Sequence, residues 1–223
     1  MSAICGIVRF DGKPVDSSEL ETMVESSPYR GPDGVGYHLH ENAGFAHLAF
    51  HVTPESVHEK QPLVSADGRY VLVADVRLDN RDELFGKLGI RKDADRVVTD
   101  PELILAAWHK CGKACVEHFL GDFVFSIWDK RSKTLFLARD PLGAYSVTFH
   151  QAGKCFAFAS ETTAILDLPF VEPVINEERV LREIEFLPRS HEETFFKSIF
   201  DLPPAHCMEV SAEGQTLWRY WDI

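Results

Sequence analysis

Basic residues are scarce in this chain: 23 Lys and Arg stand against 35 Asp and Glu, a formal charge of −12. No run of Lys or Arg interrupts that acidity. Nucleic acid or an anionic membrane would meet a repulsive average field, so neither is an expected partner. Long apolar runs are missing too. The stretch at 123–128 is among the longest, far short of the ~20 residues that span a bilayer. The start, Met1-Ser2-Ala3-Ile4, has no basic segment followed by an apolar one. No secretory signal is read there, and a cytoplasmic protein is expected. Cysteines number five, an odd count, and are widely scattered, which excludes a disulfide framework. Cys111 and Cys115 lie four apart on an expected helix. Zinc would need two more ligands at suitable spacing, so both are read as packing residues. His38, His40, His47 and His51 fall on or beside expected strands and read as partly solvated positions rather than a metal cluster.

What is present is the patterning of a layered domain. Residues 3–10 are apolar and β-branched and end at Asp11-Gly12, a strand followed by a turn. Ser18-Glu19-Leu20-Glu21 reads as a capping box, with Leu20, Met23 and Val24 at helical spacing. Strands are expected at 35–39, 44–50, 63–65 and 70–76, with a hairpin turn at Ala66-Asp67-Gly68. Asn80 opens a helix through Leu88, and Thr99-Asp100-Pro101-Glu102 caps another through Trp108. Segments 123–128 and 134–138 form a hairpin, 156–159 a strand, and 208–210 with 216–220 a last hairpin. Ser160 is expected to cap a helix through Leu166, and 177–185 is a further helix. Hairpins and helices in groups predict antiparallel sheets covered by helices. Segment 123–128 is apolar at nearly every position, as in strands buried on both faces. Two stacked sheets with helices outside satisfy the pattern. With no repeat, low-complexity segment or linker, residues 1–223 read as one domain.

Chemistry centres first on Cys5, in Ile4-Cys5-Gly6-Ile7-Val8. A nucleophilic cysteine needs a base, and no His lies near it in sequence. The cysteine's own α-amine could serve if Cys5 became the first residue. Cys5-Gly6-Ile7-Val8, Arg30-Gly31-Pro32-Asp33-Gly34, the segment 121–129, Ala138-Arg139-Asp140-Pro141-Leu142-Gly143 and Phe158-Ala159-Ser160-Glu161 follow in order. The ending Leu202-Pro203-Pro204-Ala205-His206 and Tyr220-Trp221 completes the series. Together they resemble the class II glutamine amidotransferases of the asparagine synthetase type, over essentially the whole chain. The resemblance implies an α+β fold, the four-layer αββα sandwich of N-terminal-nucleophile hydrolases. It implies a reaction in which an N-terminal Cys attacks the glutamine side-chain amide and releases ammonia to an ATP-using synthetase domain.

Carried over residue by residue, the resemblance assigns Cys5 as nucleophile after processing. It places Arg30, Gly31 and Asp33 in a loop around the site and Asp100 at the glutamine α-ammonium. Elsewhere the chain departs. The family's carboxylate-binding Arg is absent from Ala46-His47-Leu48-Ala49-Phe50-His51; His51 could stand in, without a bidentate fork. The family's Asn-Gly-Glu oxyanion motif aligns with Asp75-Val76-Arg77. A carboxylate there repels an oxyanion, and losing one such donor costs about 2.7–4 kcal/mol. In asparagine synthetases the Cys directly follows the initiator Met, whereas here Ser2-Ala3-Ile4 intervene.

Segments 53–64 and 75–80 look especially like those of β-lactam synthetases and lasso-peptide macrolactam cyclases, which keep the fold without hydrolysing glutamine. The expected function is therefore an amidotransferase domain with a degenerate glutaminase site, supporting an ATP-dependent amide-forming synthetase or cyclase. The alternative is an active glutaminase using Cys5. The synthetase's Ser-Gly-Gly-type loop is absent from the 223 residues. No cofactor is expected in this domain; ATP and magnesium belong to the synthetase partner. Glutamine, if the site is active, and a second copy of the chain complete the expected partners. An apolar docking patch is expected around Phe195, Phe196, Phe200 and Trp218.

Overall fold

The computed structural model describes residues 1–91, 96–188 and 190–222. Two six-stranded antiparallel sheets stack face to face. The first contains β1 (Ala3–Arg9), β2 (Gly34–His40), β3 (Ala43–Ala49), β8 (Thr148–Ala152), β9 (Cys155–Ala159) and β10 (Ile199–Asp201), in the order β10-β8-β9-β1-β3-β2. The second contains β4 (Leu63–Val64), β5 (Tyr70–Leu78), β6 (Gly121–Asp129), β7 (Thr134–Arg139), β11 (His206–Ser211) and β12 (Gly214–Arg219), in the order β12-β11-β7-β6-β5-β4. Helices α1 (Ser17–Glu25) and α4 (Thr162–Leu166) cover the first sheet. Helices α2 (Arg81–Leu88) and α3 (Asp100–Cys111) cover the second. The fifth helix, α5, is Glu177–Ile184.

Period-two alternation sorts each strand between two cores. From β1, Ile4 and Val8 enter the interior between the sheets, with Phe45, Val73, Val124 and Trp128. Ala3, Cys5 and Ile7 enter the helix-facing core, with Leu20, Met23 and Ala164. On β5, Val71 and Val73 face the first sheet, while Leu72, Ala74 and Leu78 face α2 and α3. Segment 123–128 is buried throughout, as its uniform apolarity predicts. The four-layer αββα sandwich expected from the sequence is the fold observed.

Local signals differ in instructive ways. Helix α1 is capped by Asp16, not Ser18: Asp16 accepts the Ser18 N–H at 3.0 Å, and Glu19 returns to the Asp16 N–H. Thr99 and Glu102 do form the predicted capping box on α3. Cys111 ends that helix at Gly112, which has φ +59, so Cys115 lies on a separate 3₁₀ segment. Ser160 does not cap α4, whose N-cap is Glu161. Its hydroxyl instead accepts the Ile4 N–H at 3.0 Å and fastens the start of β1. Strands β8 and β10 escaped the sequence reading because they are short and mix polar with apolar residues.

Segment 138–143 builds a corner. Arg139 donates to the carbonyls of Tyr145, Leu202 and Gly143, and Asp140 accepts the Leu142 and Ala144 N–H groups at 3.0 Å each. Gly143 has φ +68, and a Cβ there would lie 2.6 Å from Pro204, so only glycine fits.

Candidate active site

The start of β1 closes one end of the space between the sheets. A cavity of about 80 Å³ lies there, walled by Met1, Ser2, Arg30, Asp75, Tyr145 and Ser160 among others. At about 30 Å³ per water, it has room for a few water molecules. Of the residues carried over from the resemblance, Arg30 and Asp75 reach this wall; Cys5, Gly31, Asp33, His51, Val76 and Asp100 are not part of it.

Cys5 departs furthest from the expectation. Its thiol is buried in the helix-facing core, on the opposite face of β1 from Ile4. Burial pushes it up to about 12, against a small opposing pull from the Ala46 backbone. A thiolate nucleophile requires the reverse shift. Processing to Cys5 would also remove Ala3 and Ile4, which pair with Leu48 and His47 of β3. The residue that directly follows Met1 at the cavity is Ser2. Its hydroxyl accepts the Phe50 N–H at 3.0 Å and donates to the Phe50 carbonyl at 3.3 Å. The sequence reading missed Ser2 because it followed the cysteine and not the strand period; counting back by two from Ile4 leads to it.

Asp75 and Val76 point to opposite faces of β5. Val76 packs toward α2 and α3. Asp75 is buried, and that burial pushes its carboxyl up to about 7. The positive N-terminal amine, Arg30 and the Ser2 backbone N–H act against the shift. Burial also pushes Glu59 up to about 7; the Gln61 amide opposes this, and the negative charge of Asp75 adds to it. Gln61 joins the two sheets. Its Oε1 accepts the Ala74 N–H at 2.7 Å, and its Nε2 donates to the Ala74 carbonyl at 2.9 Å while lying 3.3 Å from His47 Nε2. Burial holds His47 down, at about 4, with the His51 charge adding to the effect.

The remaining carried-over groups are engaged within the fold. Asp100 is buried, accepts the Leu78 N–H at 2.9 Å and forms an ion pair with Arg81. Arg30 donates through Nε to Glu161 at 2.8 Å. Asp33 accepts the His51 backbone N–H at 2.7 Å, and its own N–H reaches the Ala49 carbonyl at 3.0 Å. Gly31 sits over Leu48, where a Cβ would lie 3.1 Å from the leucine side chain. These contacts tie loops to strands; each carried-over charge on Arg30, Asp33 and Asp100 already has an internal partner.

Comparisons with known proteins agree with the architecture. The chain is 27% identical to glutamine-hydrolyzing asparagine synthetase 3 of Bacillus subtilis, covering all of this chain and 37% of that relative. It is 28% identical to asparagine synthetase 2 of the same organism, covering 92% of this chain and 28% of that one. It is 27% identical to the amidase chry2 of Gibberella zeae, covering 97% and 32%. The chain thus spans roughly a third of the length of these relatives. Among solved structures, the glutamine phosphoribosylpyrophosphate amidotransferase of B. subtilis shares the fold with a TM-score of 0.70 at 15% identity, over 99% of this chain and 50% of that one. The family model described as a glutamine amidotransferase domain matches residues 1–221, and the chain belongs to that family.

Proposed function

We propose that this is an amidotransferase domain of the asparagine synthetase type whose glutamine site is closed, and that it serves as a scaffold for an ATP-dependent amide-forming synthetase or cyclase. The observation that carries this reading is the placement of Cys5: a thiol in the helix-facing core, shifted to about 12, away from the cavity. The engagement of Asp100 by Arg81 supports it, because a substrate ammonium would have to displace a largely buried guanidinium.

Ser2 does not restore the chemistry on this reading. Removal of Met1 would turn the Ser2 N–H that faces Asp75 into an α-ammonium. Beside a buried carboxylate, that ammonium keeps its proton and is lost as a general base. The same carboxylate occupies the position where an oxyanion donor is needed. A partner that uses an amine already present on its substrate has no need of ammonia from this domain, which fits the cyclase-type branch. ATP and magnesium would act in that partner.

The test is glutamate release from glutamine by the purified protein, with its N-terminus established by intact mass. The expected result is no release above the buffer blank, unchanged in Cys5→Ala and Ser2→Ala. Release that disappears in Cys5→Ala would overturn the proposal in favour of an active glutaminase.

A further inference from the structure

Helix α5 is inverted for a surface helix. The side chain it buries is Arg179, while Leu181 and Ile184 are 56% and 67% exposed. Amphipathic helices normally do the opposite. The chain continues to Phe186, 95% exposed, and Leu187, 51% exposed. Phe186 also has φ +55, a conformation that is unfavourable for a bulky L-residue. A strained, fully exposed aromatic gains nothing from its own domain. Off the helix, the Phe195 ring lies 4.7 Å from the Arg179 guanidinium, while Glu183 pairs with Arg179 within the helix itself; with the arginine turned in, the apolar residues face outward.

The opposite, buried face of α5 fixes where the helix sits. Arg179 and Leu142 line one cavity of about 300 Å³, with Arg139 and Pro204; Leu142 is 81% exposed. Tyr220 donates from its hydroxyl to the Arg139 carbonyl at 2.7 Å and from its N–H to the Ala205 carbonyl at 2.9 Å. Residues 220–222 therefore run beside the same corner. The relatives are roughly three times as long as this chain. Glu177, Glu178, Glu183 and Glu185 outnumber Arg179 and Arg182 along the helix, which gives the apolar stripe an acidic rim.

We infer that the outward face of α5, ending in Phe186, is the docking surface for the ATP-dependent synthetase, which meets it with an apolar patch bordered by basic residues. The inference rests on the scaffold reading for the identity of the partner and adds its place of contact. An apolar centre with a polar rim is the usual anatomy of such an interface, and exposed aromatic and aliphatic residues in one patch mark interaction sites.

The test is site-specific photo-crosslinking from p-benzoylphenylalanine at position 186, in the full polypeptide or complex as it occurs in its own cells. Mass spectrometry then maps the joined peptides. The expected partner peptide comes from a protein, or a part of the same polypeptide, that carries the synthetase's Ser-Gly-Gly-type loop. Crosslinks only to residues 1–223 of a second copy, to a protein without that loop, or to nothing would overturn the inference. Leu181→Lys with Ile184→Lys is the second measurement. It should weaken synthetase binding about tenfold or more while the melting temperature holds; unchanged binding would contradict the proposal. Diazoketone labelling by a glutamine analogue reads the glutamine site separately, so labelling at Cys5 would sink the scaffold reading and leave the docking result standing.

Discussion

Two regions of this molecule treat their side chains in opposite ways. At the start of β1 and along β5, charged groups that resemble a glutamine site are turned inward and paired. Asp100 holds Arg81, Arg30 holds Glu161, and Asp75 faces the Ser2 N–H. On α5, the apolar groups a core would welcome are turned outward, and an arginine is buried instead. The first region has spent its polar groups on holding loops to strands. The second has kept its apolar surface open. Under the scaffold proposal, the contrast puts recognition on the surface of the domain rather than in the cavity.

The comparison breaks most readily at Asp100. Replacing Asp100 with Ala leaves Arg81 without its carboxylate in a largely buried setting. A loss of about 3–5 kcal/mol is expected in urea unfolding. A loss under about 1 kcal/mol would mean that Asp100 is not part of the structural frame.

The next effect is one of pH. Asp75 and Glu59 both have folded values near 7, above their ordinary carboxylate range. Groups raised in this way favour the folded state at low pH and lose that contribution as pH climbs toward 7. Relative to the Asp75→Asn/Glu59→Gln variant, the parent protein should lose about 1–3 kcal/mol of stability per pH unit between pH 5 and 7. His47, held at about 4, acts in the opposite sense, but it is common to both proteins and cancels in the difference. Melting temperatures across that range check the sign; a difference that grows in the other direction would contradict the burial of these carboxyls. Removing Met1 should shrink the Asp75 share, because an ammonium on Ser2 favours the carboxylate.

A smaller effect is expected at Cys5. Cys5→Ala removes one buried sulfur from the helix-facing core, and a loss of about 1 kcal/mol should follow. A stability change far below that would place the thiol outside the packed core. The smallest effect belongs to α5. Leu181→Lys with Ile184→Lys should leave stability within about 0.5 kcal/mol, as for exposed positions generally. A large loss would mean that the face is packed against its own domain.

The sandwich was legible because its signals are local and ordered. The uniform apolarity of 123–128 and the capping box at Thr99 and Glu102 each act over a few residues. The site was less legible because its partners are remote in sequence. Nothing near Arg30 announces Glu161, and nothing near Asp100 singles out Arg81 over other basic residues. For Cys5 the reason is different. A match of residue type drew attention to it, while the strand's period of two turns it toward α1 and brings Ser2 to the cavity. The predicted apolar patch was misjudged similarly: Phe195 and Phe200 are exposed, but Phe196 and Trp218 pack against separate cores on different sheets. The exposed stripe lies on α5, where its high charge drew attention away from Leu181 and Ile184.

The proposal that the glutamine site is closed is tested most directly by a diazoketone analogue of glutamine, which alkylates a nucleophile only where a glutamine fits and a thiolate waits. Native protein incubated with the reagent should keep its unmodified mass, with the Cys5 peptide free of adduct. A single adduct on Cys5, blocked by glutamine, would contradict the account.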